Sequence, residues 1–266
     1  MPRPIEAEGN KSRSRAVFTI VQNEGIFLPL WLAYYGRYFN QQDIYVLDHN
    51  SDDGSTMNVG GRCCLISVHR AESFDHFWLK TTVERFQAFL LQSYQMVLFT
   101  EVDEFVIPDP AQYCDLAGYV IARDRAVVRC SGYNIVHQPD ELPLRFEMPI
   151  LKQRRFWQRD HHYDKRLLSN VPLTWTLGFH SELSLGDAPP DAGLFLVHLH
   201  RVDYATCLAR HRAAASRPWN SRDLEEGRGF QNLIVEDKAF HQWFYHGRDL
   251  AGSALEEIPS RLRDVF

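Results

Sequence analysis

"FTEVDEFVIP", Phe99 to Pro108, sets three carboxylates, Glu101, Asp103 and Glu104, directly behind an apolar run of Met96, Val97, Leu98 and Phe99. Four consecutive apolar residues read as a strand buried on both faces. A core strand that ends in three acids either surfaces there or meets something positive. Along an extended chain Glu101 and Asp103 face one side and Glu104 the other, so the first two could share a hard cation through oxygen ligands.

Working outward, AVFTIV (16–21) is β-branched and apolar enough for a buried strand. From Ile26 to Phe39 the spacing of Phe27, Trp31, Tyr34 and Tyr38 predicts one helix face, with Pro29 tolerated in the first turn. IYVLD (44–48) is a second strand, HNSDDGS (49–55) a run of turn formers, and CLISV (64–68) a third strand. Leu79, Val83, Phe86 and Leu90 mark a helix over Trp78–Tyr94 that delivers the chain to the VLFTEV strand. Downstream, strands are expected at 126–130 and 194–199. A helix capped by Asp203 should run to about Ala215, and another should cover Leu255–Phe266. Residues 1–15 are polar and expected to be loose. This alternation predicts an α/β fold with a mostly parallel central sheet flanked by helices on both faces.

The 266 residues, 45% hydrophobic and 24% charged, can bury a large core. A formal net charge of -5 gives no reason to expect a general nucleic-acid binder, which needs a basic excess. No apolar stretch approaches the roughly 18 to 20 residues of a membrane span, and MPRPIEAEGNKSRSR lacks the apolar centre of a signal peptide, so the cytoplasm is the expected location. The five cysteines are odd in number, two are adjacent, and none form a Cys-x-x-Cys pair, which argues against a disulfide framework or a zinc knuckle. Neither common Gly-rich phosphate loop occurs, nor a G-x-S-x-G elbow, which counts against kinases, ATPases, dinucleotide oxidoreductases and serine hydrolases of that type.

Ligands of parallel α/β sheets bind at the carboxyl ends of the strands. Three such exits are polar and acidic here: Gln22-Asn23-Glu24, the run from Asp48 to Gly54, and Glu101-Val102-Asp103-Glu104. An acidic site that holds a divalent cation, itself bound by substrate phosphates, reconciles these acids with an anionic substrate.

Together these exits carry a resemblance. VQNEGIFLPLWLAYYGRYFNQQDIYVLDHNSDDGS (21–55) resembles the opening of the GT-A fold glycosyltransferases of the family 2 type, "NE-x(3)-LP-E-W-x-x-Y" followed by "D-N-x-S-x-D-G-T". FTEVDEFVIP is similar to their "D-x-D-E-F-x-x-P" signature, and KRLLSNVPLTWTLGFHSE (165–182) and LVHLHRVDYATCLARH (196–211) resemble their later "G-x-H-S" and "H-Y-R" blocks. The resemblance spans residues 16–215 in order. It implies a single GT-A-like nucleotide-diphospho-sugar transferase domain, with a nucleotide-sugar-binding half (16–110) and an acceptor-binding half with C-terminal helices (111–266).

The implied reaction moves a hexosyl group from a nucleoside diphosphate, uridine diphosphate by family habit, to a carbohydrate or lipid-linked acceptor with inversion, as in polysaccharide biosynthesis. A lipid-linked acceptor would place the chain at the inner face of a membrane. By position, Asp48, Ser51 and Asp53 would hold the nucleobase and ribose, with Gln22, Asn23 and Glu24 lining the same pocket. Asp103 would coordinate Mn2+ or Mg2+, with Glu101, which replaces the family's first Asp, assisting, and His198 completing the ligands. Arg154, Arg155 and Lys165 are candidates to steady the diphosphate, because guanidinium forks match phosphate oxygens. The acceptor hydroxyl needs a general base; Glu182, beside His180 in GFHSE, is the first candidate, with Asp140 and Glu141 behind it.

His198 and His200 form a His-x-His pair whose rings share a strand face, a spacing suited to metal. Two alternatives therefore stay open. His180, His198, His200, Asp103 and Glu101 could gather around zinc in a metal-dependent hydrolase, or the chain could bind a sugar nucleotide without turning it over. Tyr133, Trp157, Tyr163, Trp175, Phe179 and Trp219 are aromatic groups on which an acceptor sugar could stack or with which the core could be filled.

Overall fold

The computed structural model describes residues 15–68, 73–122, 127–247 and 254–266; the expected loose segment up to residue 14, and residue 126 of the expected 126–130 strand, lie outside the described residues. The chain opens with β1 (Arg15–Val21), α1 (Phe27–Tyr35), β2 (Ile44–Asp48), β3 (Cys64–Ser67), α2 (His76–Leu90) and β4 (Met96–Phe99). It continues through β5 (Glu104–Pro108), α3 (Leu116–Ala122), β6 (Val127–Arg129), β7 (Ser131–Ile135), β8 (Phe156–Arg159) and β9 (Arg166–Ser169). Last come β10 (Leu194–His198), α4 (Tyr204–Ser216), α5 (Ser221–Glu225), α6 (Asp237–His246) and β11 (Leu255–Glu257).

The fold class is α/β. One sheet has the order β3-β2-β1-β4-β9-β6; its first four strands are parallel, while β9 runs antiparallel to both β4 and β6. A second sheet, β11-β8-β7-β10-β5, is mixed, with only β7 and β10 parallel. The parallel block was expected; the second sheet was not. The chain steps from β1 to β2 to β3 in one direction and then returns to lay β4 on the far side of β1. The connections therefore diverge between β1 and β4, and a crevice opens beyond their carboxyl ends.

Along α1 the aromatic face is fully buried. Buried aromatic groups with a polar atom need a partner, and here the partners fix the two sheets: Trp31 Nε1 donates to Thr100 Oγ1 at 2.7 Å and Tyr34 Oη to the Val106 carbonyl at 2.8 Å, while Tyr35 Oη accepts from the Val106 amide at 3.0 Å. One helix thus sets the spacing between the end of β4 and the start of β5.

The expected VLFTEV strand stops at Phe99. The Glu104 amide donates to the Glu101 carbonyl at 3.0 Å, closing a turn before β5 joins the other sheet. Two-sided alternation therefore does not apply to the acids, and the pairing of Glu101 with Asp103 is corrected. Glu101 and Glu104 instead take Lys165 Nζ between them, at 2.7 and 2.5 Å, and Asp103 turns the other way. Lys165 and Glu104 are fully buried, and the two carboxylates hold the ammonium above its usual range against the opposing effect of burial.

The expected C-terminal helix is also corrected. Residues 255–257 add β11 to β8, and beyond Pro259 there is only a single 3-10 turn, Ser260–Leu262. Ile258 and Leu262 are buried in the main core, Phe266 stacks on Phe105 at 4.5 Å, and Arg261 forks onto Asp109 at 2.7 and 3.0 Å. The pairing of 255–257 with β8 and Pro259, which has no amide to donate, interrupt the run before a helix can form. By contrast α4 begins as expected, with Asp203 accepting from the Thr206 amide at 2.9 Å.

Removing one partner of a buried ion pair leaves an uncompensated charge and costs about 3–5 kcal/mol. Lys165→Met should accordingly lower the melting temperature by roughly 10 °C at the ~2–4 °C per kcal/mol of a domain this size, and adding Glu104→Gln should recover part of the loss. An unchanged melt would show the clamp to be dispensable. A second test uses pH. Burial alone would raise Asp203, but the amides of Thr206 and Leu144 outweigh it and hold the carboxyl below its usual range. Its stabilisation is therefore present above the unfolded pKa of ~3.9 and is lost as pH falls through the lower folded value. Asp203→Asn should melt below the wild type at pH 7, with the gap closing under acid conditions.

Candidate functional site

A cleft of about 1420 Å³ opens over the exits of β1, β2 and β4. Its floor carries Gln22, Asn23, Glu24, Asp53, Glu101 and Asp103; His162, Tyr163 and His180 form one wall, and α4 with residues 230–232 forms the roof.

The β1 and β2 exits are tied to each other. Asn23 and Asn50 both adopt left-handed backbone, with φ of 59° and 58°, which asparagine tolerates better than most residues. The Asn23 side chain donates to Asp52 at 2.8 Å and accepts from the Asp52 amide at 2.9 Å, while the Asn23 amide donates to Ser51 Oγ at 3.0 Å. Asp48 accepts from the Ser51 amide at 2.9 Å and Thr56 Oγ1 at 2.8 Å. Asp48 and Ser51 therefore build the loop from behind, and Asn23, Asp52 and Asp53 present it to the cleft.

Across the floor, Arg210 from α4 donates to Glu24 at 2.7 Å and Asp103 at 2.6 Å, its guanidinium 4.6 Å from the Phe27 ring centre. The two acids respond differently. Burial raises Glu24, with Arg210 only partly offsetting it; burial would raise Asp103 too, but Arg210, His200 and His198 outweigh it and hold that carboxyl well below its usual range. Burial pushes both His198 and His200 down, so both rings stay neutral.

Ligand atoms of Asp103, His198 and His200 all lie within 4.8 Å of one another. As the His-x-His spacing suggested, the two rings stack on one side, 5.7 Å apart. Asn134 fixes the first of them: its amide nitrogen donates to Asp160 at 2.7 Å, so its oxygen, 2.7 Å from His198 Nδ1, accepts the imidazole proton. The His198 Nε2 lone pair is left facing Asp103, 3.9 Å away. One ionised carboxylate and two neutral imidazoles, one oriented by an outer hydrogen bond, fit a divalent transition ion, and two nitrogen donors suit Mn2+ better than Mg2+.

Other expected residues stand elsewhere. Glu101 lines the cleft with one oxygen engaged by Lys165, and Lys165 lies beneath the floor with its ammonium shared between two carboxylates. Arg155 Nη2 donates to both carboxylate oxygens of Asp140 at the exposed periphery, and buried Arg154 donates to the Val202 and Leu142 carbonyls; neither lines the cleft. Glu182 is enclosed, receiving Arg166 at 3.1 Å, the Leu185 amide at 2.9 Å, and both the amide and hydroxyl of Ser184. Glu141 is taken by the amides of Gln138 and Arg155. His180 does reach the cleft, on a bend where Gly178 and Phe179 have φ of 75° and 60°. Its Nδ1 meets the His162 carbonyl at 3.0 Å, leaving Nε2 as the lone-pair nitrogen, and burial pushes the ring down toward the neutral form. Of the aromatic set, Trp157, Trp175 and Phe179 are buried in the core, while Tyr163 stacks on His198 at 4.1 Å.

Sequence reasoning missed Arg210 and Arg217. Arg217 donates to Gln22 Oε1 at 2.7 Å and lies 4.0 Å over the Phe74 ring. The available signal was helical spacing: Arg210 falls three residues after the buried Cys207 and one before the buried His211, on the inward side of α4.

No protein-family model and no curated protein matches the chain. Among solved structures it is similar to that of a mycobacterial protein, at 16% identity and TM-score 0.32 over 46% of this chain and 42% of that one. It is similar too to glucosyl-3-phosphoglycerate synthase from Mycobacterium tuberculosis in complex with Mn2+, uridine diphosphate and glucosyl-3-phosphoglycerate, at 16% identity and TM-score 0.32 over 50% of each chain. Mannose-1-phosphate geranyltransferase from Thermus thermophilus follows at 9% identity and TM-score 0.33 over 86% of this chain and 67% of that one. The chain spans half or less of the length of the first two. No helix among the described residues is long and apolar enough to cross a membrane.

Outer hydrogen bonds to a ligating histidine typically contribute 10–100-fold to metal affinity. Asn134→Leu should therefore weaken Mn2+ binding by about that factor, read by the electron paramagnetic resonance of free Mn2+, while an equal affinity would show that His198 is not oriented this way.

Proposed function

We propose that the chain is a glycosyltransferase of the GT-A type, which moves a sugar from a nucleoside diphosphate, uridine diphosphate first among them, to the hydroxyl of a carbohydrate or lipid-linked acceptor with inversion. The observation that carries this reading is the convergence of the three polar strand exits, the Asp103-His198-His200 group and two guanidinium groups on one cleft at the β1/β4 divergence. The motif resemblance of residues 16–215 assigns the same exits to a sugar nucleotide.

In this proposal Asn23, Asp52 and Asp53 face the nucleoside, with Asp48 and Ser51 shaping their loop. Arg210 and Arg217 take the diphosphate role for which Arg154, Arg155 and Lys165 were the sequence candidates, presenting donors that match phosphate oxygens. Asp103, His198 and His200 would hold a divalent ion, Mn2+ before Mg2+, which when bound neutralises charge on the departing diphosphate. Glu101, anchored by Lys165, keeps a carboxylate at the edge of that site.

With Glu182 enclosed by Arg166, the base role passes to His180. As the acceptor oxygen bonds to the anomeric carbon and the bond to the diphosphate oxygen breaks, the acceptor proton moves to His180 Nε2. The Asp103-His198-His200 set also meets the three-ligand requirement of a zinc hydrolase, and this second reading is separated by experiment.

A melt against nucleoside diphosphates with and without Mn2+ tests the proposal. A ligand at a hundred times its dissociation constant stabilises by roughly 2.7 kcal/mol. Mn2+-dependent stabilisation by one diphosphate, lost in Asp103→Ala, is expected; stabilisation by Zn2+ alone with no response to any nucleotide would replace the transferase by the hydrolase. His180→Gln should keep that nucleotide response while transfer falls by about 10²–10⁴.

A further inference from the structure

Behind the Asp103 group lies a second cluster, which shares His200 with it and adds the buried Cys207 and His211. His200 Nε2 stands 3.1 Å from His211 Nε2, and Cys207 Sγ lies within 4.8 Å of both. Two imidazole nitrogens at this distance either share one proton or have a cation between them.

The hydrogen bonds around the pair decide which. His211 Nδ1 meets the backbone carbonyl of Ile234 at 3.1 Å. A carbonyl only accepts, so His211 carries its proton on Nδ1 and has a lone pair on Nε2. At the other end, Arg210 Nη1 lies 3.5 Å from His200 Nδ1. Asp103 Oδ2, an acceptor, stands at a similar 3.6 Å from the same nitrogen, so this end does not choose the tautomer; with the His211 lone pair on Nε2, a neutral His200 presents its own proton there, on Nε2. The His211 end sets the arrangement: His200 Nε2–H donates to His211 Nε2, and His211 Nδ1–H donates to Ile234. His200 Nδ1 then offers its lone pair on the side where Asp103 lies, 3.6 Å away.

We infer that His211 is a positioning residue: through the His200–His211–Ile234 chain it fixes the tautomer and ring orientation of His200, so that His200 presents Nδ1 to a cation held with Asp103 and His198. A second layer that donates or accepts at the far nitrogen of a ligating imidazole is a general requirement of such sites. Here the outer partner is another histidine, itself anchored to a main-chain carbonyl. The ring is wedged by Trp243 at 4.6 Å and Phe240 at 5.1 Å, so it has little freedom to turn. The segment that supplies Ile234 also supplies residues 230–232 of the cleft roof, so the roof and the cation site are joined by two hydrogen bonds.

This inference rests on the reading of Asp103, His198 and His200 as a cation site, and its tests separate the two. His211→Phe keeps an aromatic ring against Phe240 and Trp243 but removes acceptor and donor; His211→Gln restores one of each. Mn2+ affinity, measured on the full chain without nucleotide, should fall about 10–100-fold in His211→Phe and return most of the way in His211→Gln. Unchanged affinity in His211→Phe, or an equal loss in both variants, would overturn the positioning role. Nitrogen-15 spectra of histidine-labelled wild type give an independent reading, expected to show the His200 proton on Nε2; a proton on Nδ1 overturns the inference even if a variant fails to fold. Zn2+ taken up by the wild type and lost in Cys207→Ser would place a cation between the two rings and overturn it as well. Wild type that binds no Mn2+ would defeat the cation-site reading itself, while the nitrogen-15 result still decides the hydrogen-bond chain.

Discussion

The buried ammonium of Lys165 is the constraint on which the site depends. Three acids within four residues repel one another, and a turn that crowds them at the edge of a core is unfavourable unless charge is balanced. Lys165, entering just before β9, takes Glu101 and Glu104 and leaves Asp103 as the acid of the turn that faces α4. The same clamp marks the point where the chain leaves one sheet and starts the other. The β4–β5 turn and the orientation of Asp103 are therefore one structural event.

Around that turn every polar group of the proposed cation set is held from outside. Asn134 and Asp160 hold His198, His211 and Ile234 hold His200, and Arg210 bridges Asp103 to Glu24 across the exits of β4 and β1. Such support is costly to assemble in a low-dielectric interior and pre-forms a site before any ligand arrives. Arg210 neutralises Asp103 and Glu24 in this arrangement, and in the proposed reaction its donors are the ones offered to the diphosphate.

Much of the first hundred residues was legible, because apolar strand runs alternate there with periodic helices and pair as one parallel block. Trp31 and Tyr34 fell on the inward face of α1 as their spacing indicated, and β2 begins and ends where IYVLD does. The second sheet was mostly hidden: β8 is four residues long, and its pairing with β7 and β11 is set by partners distant in sequence. In the site, Asp103 and the His198–His200 spacing could be read from local pattern. What could not be read were contacts of long range: Lys165 with Glu101 across 64 residues and Arg210 with Glu24 across 186. The contact of Glu182 with Arg166 was hidden as well: a carboxylate beside GFHS looks available in the sequence, and the fold brings Arg166 onto it.

The most direct measurement is anomalous diffraction at the manganese edge from crystals grown with Mn2+ and uridine diphosphate. The account predicts one strong peak bounded by Asp103, His198 and His200, with Lys165 still seated between Glu101 and Glu104. A peak between Glu101 and Glu104 with Lys165 expelled, or no peak at the three residues, would contradict it.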